Sequence, residues 1–231
     1  MRKGEEKRQE LLAVAERLFC QKGYEATSVQ DILDVLHTSK GGFYHHFASK
    51  EAVLNTLCQM RAERAGMRAQ LLLADAKDDM VRLNIVLNCF MPLRREETPF
   101  MNMMLPLLQR PEGRALGLCY QDALAEVFMP LLDKELTQAY SHGVICPPIQ
   151  DPAGVILHMV NRCWLDVALY LISCVKSRRN HDMMTLLAIL NRYRRCVEVL
   201  LDAPFGSIEI LRVDEWEELA ARLMRTMVMP M

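Results

Sequence analysis

No two of the eight cysteines, at positions 20, 58, 89, 119, 146, 163, 174 and 196, are spaced as C-x-x-C, so neither a zinc ribbon nor a thioredoxin-type redox motif is expected. Most sit in apolar helical stretches, where a thiol behaves as a small hydrophobe; the expected compartment is the reducing cytoplasm. No apolar run reaches the roughly 18 residues of a membrane span. The longest apolar stretch, 155–175, is broken by His158, Asn161, Arg162 and Asp166, and no membrane partner is expected. Glycine and proline are scarce, ten of each in 231 residues, and β-branched runs are short. That combination favours helices throughout. Charge of either sign is not in excess: 28 Lys and Arg against 29 Asp and Glu leave a net charge of -1. Bulk attraction to a polyanion is thereby excluded, and any affinity for nucleic acid must come from where charges sit. There is no P-loop, no dinucleotide fingerprint, no G-x-S-x-G and no H-E-x-x-H. His142, His158 and His181 are scattered. Neither an enzyme nor a metal or cofactor site is expected.

Hydrophobic periodicity and caps divide the chain into helices. The first spans about 5–22, with Leu11, Leu12, Ala15, Leu18 and Phe19 on one face; Lys22 and Gly23 stop it. The second opens at Ser28, where Ser-x-x-Asp31 fits a capping box, and carries Val29, Ile32, Leu33 and Leu36. After His37-Thr38, a short third helix spans about 39–45. A fourth follows Ser49 and acts as a connector over about 49–73. Further helices are expected at 77–91, 100–109, 113–141 (passing Pro130), 151–176, 180–201 with Asn180 as cap, and 214–227 capped by Asp214 and Glu217. The Arg94-Arg95-Glu96-Glu97 run falls in a loop. The fold class is all-α: an amino-terminal helix-turn-helix domain, residues 1–50, and a larger helical domain, 74–231.

The segment 28–50 is the most informative. Its third helix cannot stabilise itself and must be clamped by its neighbours, with Phe43 and Phe47 as anchors. Thr38, Ser39, Lys40, Gly41, Gly42, Tyr44 and His45 then face outward. Two glycines cost about 1 kcal/mol each relative to alanine, a cost tolerated where the backbone must closely approach another surface. Thr38, Tyr44, His45 and Lys50 suit phosphate oxygens; Lys40 suits a guanine edge or a phosphate. The plainer reading, a three-helix core with a polar surface, leaves the glycine pair unexplained.

Residues 7 to about 60 resemble the DNA-binding domain of the tetracycline-repressor (TetR) family. The matching pieces are Ala15-Glu16-Arg17-Leu18-Phe19, Lys22-Gly23-Tyr24-Glu25-Ala26-Thr27-Ser28-Val29, Asp31-Ile32, the run from Ser39 to Phe47, and Ser49-Lys50-Glu51. One departure is Leu33-Asp34-Val35-Leu36-His37, where the family usually has small residues. The resemblance implies a homodimeric transcriptional regulator, usually a repressor, that binds double-stranded operator DNA and is released by a small-molecule effector. It implies phosphate contacts from Thr27, Tyr44, His45 and Lys50, and places Lys40 and Gly41 near base edges. Ser28 joins the expected DNA-binding set.

The remaining expectations rest on helix faces. The helices at 151–176 and 180–201 are apolar over more than half their circumference, which suits burial on two sides. Val160, Trp164, Val167, Leu171, Leu186, Leu190, Tyr193 and Val197 are the expected dimer interface; an intramolecular core is the alternative. Phe90, Met101, Met104, Tyr120 and Trp164 are candidate linings of an apolar effector pocket, against the plainer reading that each is core. Asp166 could orient a ligand, although Arg162 one turn earlier favours an ion pair. Two rival functions remain: a ligand-independent DNA-organising protein, and a regulator that senses oxidants through its cysteines.

Overall fold

The computed structural model describes residues 3–92, 97–108, 114–210 and 221. The expected loop residues Arg94, Arg95 and Glu96, the start at Gly113 and all but one residue of the expected helix 214–227 lie outside them. The protein is all-α, with no strand among the described residues. Its helices are α1 (Lys3–Lys22), α2 (Val29–Leu36), α3 (Lys40–Tyr44), α4 (Lys50–Asp75), α5 (Asp79–Phe90), α6 (Thr98–Leu108), α7 (Arg114–Ser141), α8 (Pro152–Lys176) and α9 (Met183–Leu201). Asp182, not Asn180, caps α9: its carboxylate accepts from the Met184 and Thr185 amides. Asn180 is as good a cap by residue type, but the helix begins at Met183, directly after Asp182.

The described residues form two compact units: 3–61 with 97–108 and 114–120, and 62–92 with 121–210 and 221. This division differs from one at residue 50, because α6 packs on α1. Arg61 is the reason. Its guanidinium pairs with Glu16 of α1 and with Glu97 just ahead of α6, and lies 4.3 Å from the Phe100 ring centroid. Burial works against that charge, but Glu97 and Glu16 outweigh it and its pKa is raised. The hydrophobic centre of this unit is Leu11, Leu12, Ala15 and Phe19 of α1, Ile32 of α2, Phe43 of α3 and Val53, Leu54 and Cys58 of α4, all at most 1% exposed. A five-residue helix such as α3 persists only because such neighbours hold it.

In the second unit, Arg82 of α5 grips Glu135 of α7 with two nitrogens, at 2.6 and 2.9 Å, and donates to the Leu73 and Ala76 carbonyls. Phe90 and Phe128 meet edge to face at 5.5 Å. Helices α8 and α9 pack together, and Tyr193 of α9 donates to Asp166 of α8 at 2.6 Å. Arg162 pairs with the same carboxylate at 2.8 Å, the ion pair expected from their spacing. By length and composition α8 is apolar enough, over Pro152–Cys174, to cross a membrane. The interruptions expected from the sequence, His158, Asn161, Arg162 and Asp166, are there but do not lower the average below that level. One face of α8, including Val160, Cys163, Val167 and Leu171, is buried in this unit.

Candidate nucleic-acid interface

The site begins with two caps. Ser28 has extended backbone (φ -92) and its hydroxyl accepts from the Asp31 amide at 3.1 Å, while the Asp31 carboxylate takes the Ser28 amide at 2.7 Å. This is the capping box expected from the sequence. Lys22 reaches the same carboxylate from the end of α1, at 3.0 Å. The Ser28 hydroxyl, its amide and then Lys22 hold the Asp31 carboxyl well below the usual carboxylate range. At its far end α2 stops on His37, which adopts a left-handed conformation (φ 47). Glycine enters that region most readily; among residues with a side chain, histidine, asparagine and aspartate do so most often, at a cost of about 1–2 kcal/mol. The turn to α3 therefore carries backbone strain at His37.

Ser39 caps α3, accepting from the Gly42 amide at 3.2 Å. Phe43 is fully buried and Phe47 nearly so, with ring centroids 6.1 Å apart. These anchors fix which side of α3 faces water. Ser39, Lys40, Gly41, Tyr44 and His45 form that side, and Tyr44 is 55% exposed. The glycines separate. A Cβ on Gly42 would come within 2.9 Å of the Thr38 hydroxyl, so internal packing accounts for it. A Cβ on Gly41 would meet nothing nearer than the Ser39 hydroxyl at 3.8 Å. Only Gly41 leaves bare backbone on the outer face without an internal cause.

Three predicted contact residues have polar side-chain groups engaged within the chain. Thr27 is fully buried, and its hydroxyl lies 2.9 Å from the Gly23 carbonyl and 3.3 Å from that of Leu18. It staples the α1–α2 turn, because a hydroxyl buried there must find partners. Ser28 is exposed, but its hydroxyl is committed to the cap. Lys50 turns back: its ammonium donates to the carbonyls of Tyr24 at 2.9 Å and Thr27 at 2.8 Å, and sits 4.3 Å from the Tyr24 ring centroid. Burial lowers its pKa, against the pull of Glu25 and Asp31. Two of its three N–H donors are thus used inside the chain. Thr38 is half-buried beside Gly42. Sequence reasoning missed this clamp because Lys50 lies 26 residues from Tyr24.

Residues 11–57 match the model of the bacterial regulatory proteins of the tetR family. The amino-terminal domain belongs to the tetR family. Over 54 residues it is 44% identical to the HTH-type transcriptional regulator YerO of Bacillus subtilis, covering 23% of this chain and 19% of YerO. Over 51 residues it is 43% identical to the HTH-type transcriptional repressor KstR2 of Rhodococcus jostii, covering 22% of this chain and 25% of KstR2. These curated relatives are thus matched over about a quarter of their length or less. Likeness of fold alone extends further along the chain. The transcriptional regulator FadR from Bacillus subtilis, solved in complex with stearoyl-CoA, superposes with a TM-score of 0.57 at 18% identity, over 85% of this chain and 98% of that one. Salmonella enterica GusR does so with a TM-score of 0.55 at 16% identity, over 85% of this chain and 96% of that one.

The expected dimer and effector residues are placed as follows. Val160, Trp164, Val167, Leu171, Leu186, Leu190 and Val197 are each at most 7% exposed within a single chain, and Tyr193 is half-buried. They form the core between α8 and α9 and neighbouring helices, because the more apolar side of each helix is consumed by its own chain first. The surfaces left open are Val155, His158, Arg162 and Leu169 on α8, and Met184, Ala188, Arg195 and Val199 on α9. Of the expected pocket residues, Met101, Met104 and Tyr120 belong to the amino-terminal unit, and Phe90 and Trp164 to the other. All five are buried. Tyr120 packs on Phe100, and the Trp164 indole donates to Asn161 at 2.6 Å. Among the described residues no group of three metal-ligating side chains converges.

Proposed function

We propose that this chain is a DNA-binding transcriptional regulator that acts as a homodimer, a repressor released from its operator by a small molecule. The outer face of α3 carries the reading: Ser39, Lys40, Gly41, Tyr44 and His45 are exposed on a helix whose opposite side is locked by Phe43 and Phe47. Bare backbone at Gly41 lets the helix approach a duplex closely. The Tyr44 hydroxyl and His45 ring donate to phosphates, which position the helix; Lys40 reaches a base edge.

Pairing two such heads requires self-association, and we assign the contact to the open surfaces of α8 and α9. Leu169 and Val155 on α8, and Met184 and Val199 on α9, are large apolar side chains left in water there. A dimer sets the heads a whole number of helical turns apart, about 34–36 Å per turn. An effector that binds better to another spacing lowers operator affinity. For its chemistry we propose an apolar or amphipathic molecule, the class to which the stearoyl-CoA of the similarly folded Bacillus subtilis FadR belongs.

Selection of duplexes from a random pool by the purified protein tests the reading. Enrichment of a two-fold symmetric site is expected, with Lys40→Ala altering base preference and Leu169→Asp yielding monomers by sedimentation. No enrichment even at about 50 mM salt, where phosphate contacts are strong, would sink it. Thermal shift across acyl-CoA chain lengths tests the effector class, and its failure would leave DNA binding intact.

A further inference from the structure

Cys58 and Cys119 play no part in the DNA-facing surface, yet their sulfurs lie 3.2 Å apart, closer than two sulfurs in ordinary contact. They are 61 residues apart in sequence, on α4 and on the first turns of α7, and belong to the same compact unit. Cys58 is fully buried; Cys119 is partly exposed. That asymmetry suits a two-thiol oxidation, in which a reachable sulfur meets the oxidant and a sheltered one resolves it. No disulfide joins them in this structure.

We propose that Cys58 and Cys119 are a reversible disulfide site, closed by hydroperoxides and opened by dithiols. The Cys119 sulfur attacks the terminal peroxide oxygen; the O–O bond breaks, giving a sulfenic acid on Cys119 and an alcohol. The Cys58 sulfur then attacks the Cys119 sulfur, forming the S–S bond; the hydroxyl leaves with the Cys58 proton as water. Two thiols lose two electrons and the peroxide gains them. The buried Cys58 thiol is pushed well above the usual range by its contact with Cys119 and by burial, with Arg61 opposing. It therefore stays protonated at rest, and must give up that proton, which leaves with the hydroxyl as water, when it attacks the electrophilic sulfenic sulfur. Cys20 lies in the same unit, with a pKa pushed up to about 11, chiefly by burial and then by Glu16.

The test uses full-length protein with the exposed Cys146 and Cys196 replaced by serine, to remove surface oxidation. After treatment with tert-butyl hydroperoxide, thiol titration under denaturing conditions is expected to fall by two per chain. Tryptic peptide 51–61 is expected to be joined to peptide 115–134, and dithiothreitol to release it. Adding Cys58→Ser is expected to leave a sulfenic acid on Cys119, trapped by dimedone; adding Cys119→Ser is expected to abolish both products. A cross-link involving any other cysteine, an unchanged thiol count, or dimedone labelling of Cys58 in place of Cys119 overturns the proposal. None of these readouts depends on DNA binding, so the result stands apart from the proposed function.

Discussion

Replacing Lys50 with methionine separates two roles that the sequence could not. Methionine keeps the aliphatic stem and its packing while removing the ammonium. In the structure that ammonium donates to the Tyr24 and Thr27 carbonyls at 2.9 and 2.8 Å, beside the Tyr24 ring. A hydrogen bond to a charged group contributes about 1.5–3 kcal/mol when it cannot be replaced by water. The Tyr24 carbonyl retains the Thr27 amide at 3.3 Å, so mainly one carbonyl loses its partner. Lys50 is also partly exposed, and water recovers some of the loss. The expected cost is about 2 kcal/mol, localised at the α1–α2 turn. Amide hydrogen exchange followed by mass spectrometry reads that segment separately from the second unit. Exchange over residues 24–33 is expected to speed up about 30-fold, since 1.4 kcal/mol is tenfold. Tyr44→Phe is the counterpart: its hydroxyl projects into water from a half-exposed ring, so protection changes by less than about 0.5 kcal/mol. Its duplex affinity falls about tenfold in fluorescence anisotropy if one phosphate bond is lost. Unchanged protection in Lys50→Met together with lost duplex binding would refute the clamp and return Lys50 to the phosphate backbone.

Three further outcomes are expected. His37→Gly relieves the left-handed residue ending α2 and stabilises the amino-terminal unit by about 1 kcal/mol in urea unfolding; no gain would mean that the strain is absent. The folded-state pKa of Asp31 is depressed, so its stabilisation is present above the ordinary carboxylate range and is lost as pH falls through the folded-state value. Asp31→Asn should therefore lose stability at neutral pH, and acid titration by circular dichroism should show its deficit vanishing; a deficit constant with pH would contradict the assignment. Arg82→Ala leaves the 2% exposed Glu135 side chain without its bidentate partner and two carbonyls without donors, and should destabilise by about 3–5 kcal/mol in thermal unfolding. A loss below about 1 kcal/mol would mean that water replaces the guanidinium.

The helices were legible because their signals are local. The apolar spacing of Leu11, Leu12, Ala15, Leu18 and Phe19, the Ser28–Asp31 box and the stop at Gly23 each act within a few residues, and α1 and α2 fall where these place them. The outward set on α3 was legible in the same way, since burying Phe43 determines where Lys40 and Tyr44 must point. What the sequence left open depended on distance along the chain. Thr27 and Lys50 are polar residues in a family motif, and nothing nearby reveals that backbone carbonyls take their donors within the chain. On α8 and α9, hydropathy marks which side chains leave water but not which surface receives them. Val160 and Trp164 therefore read as partner contact or as intramolecular core, and within a single chain they are already buried.

Sequence alone determined an all-helical chain with a helix-turn-helix near its start, because helix periodicity, caps and turn residues are short-range properties. Only the tertiary structure decided that α6 groups with the amino-terminal helices, that Lys50 serves the backbone, and that Cys58 meets Cys119. Those depend on packing and ion pairing between residues tens of positions apart, and their energies exist only once the chain has closed on itself.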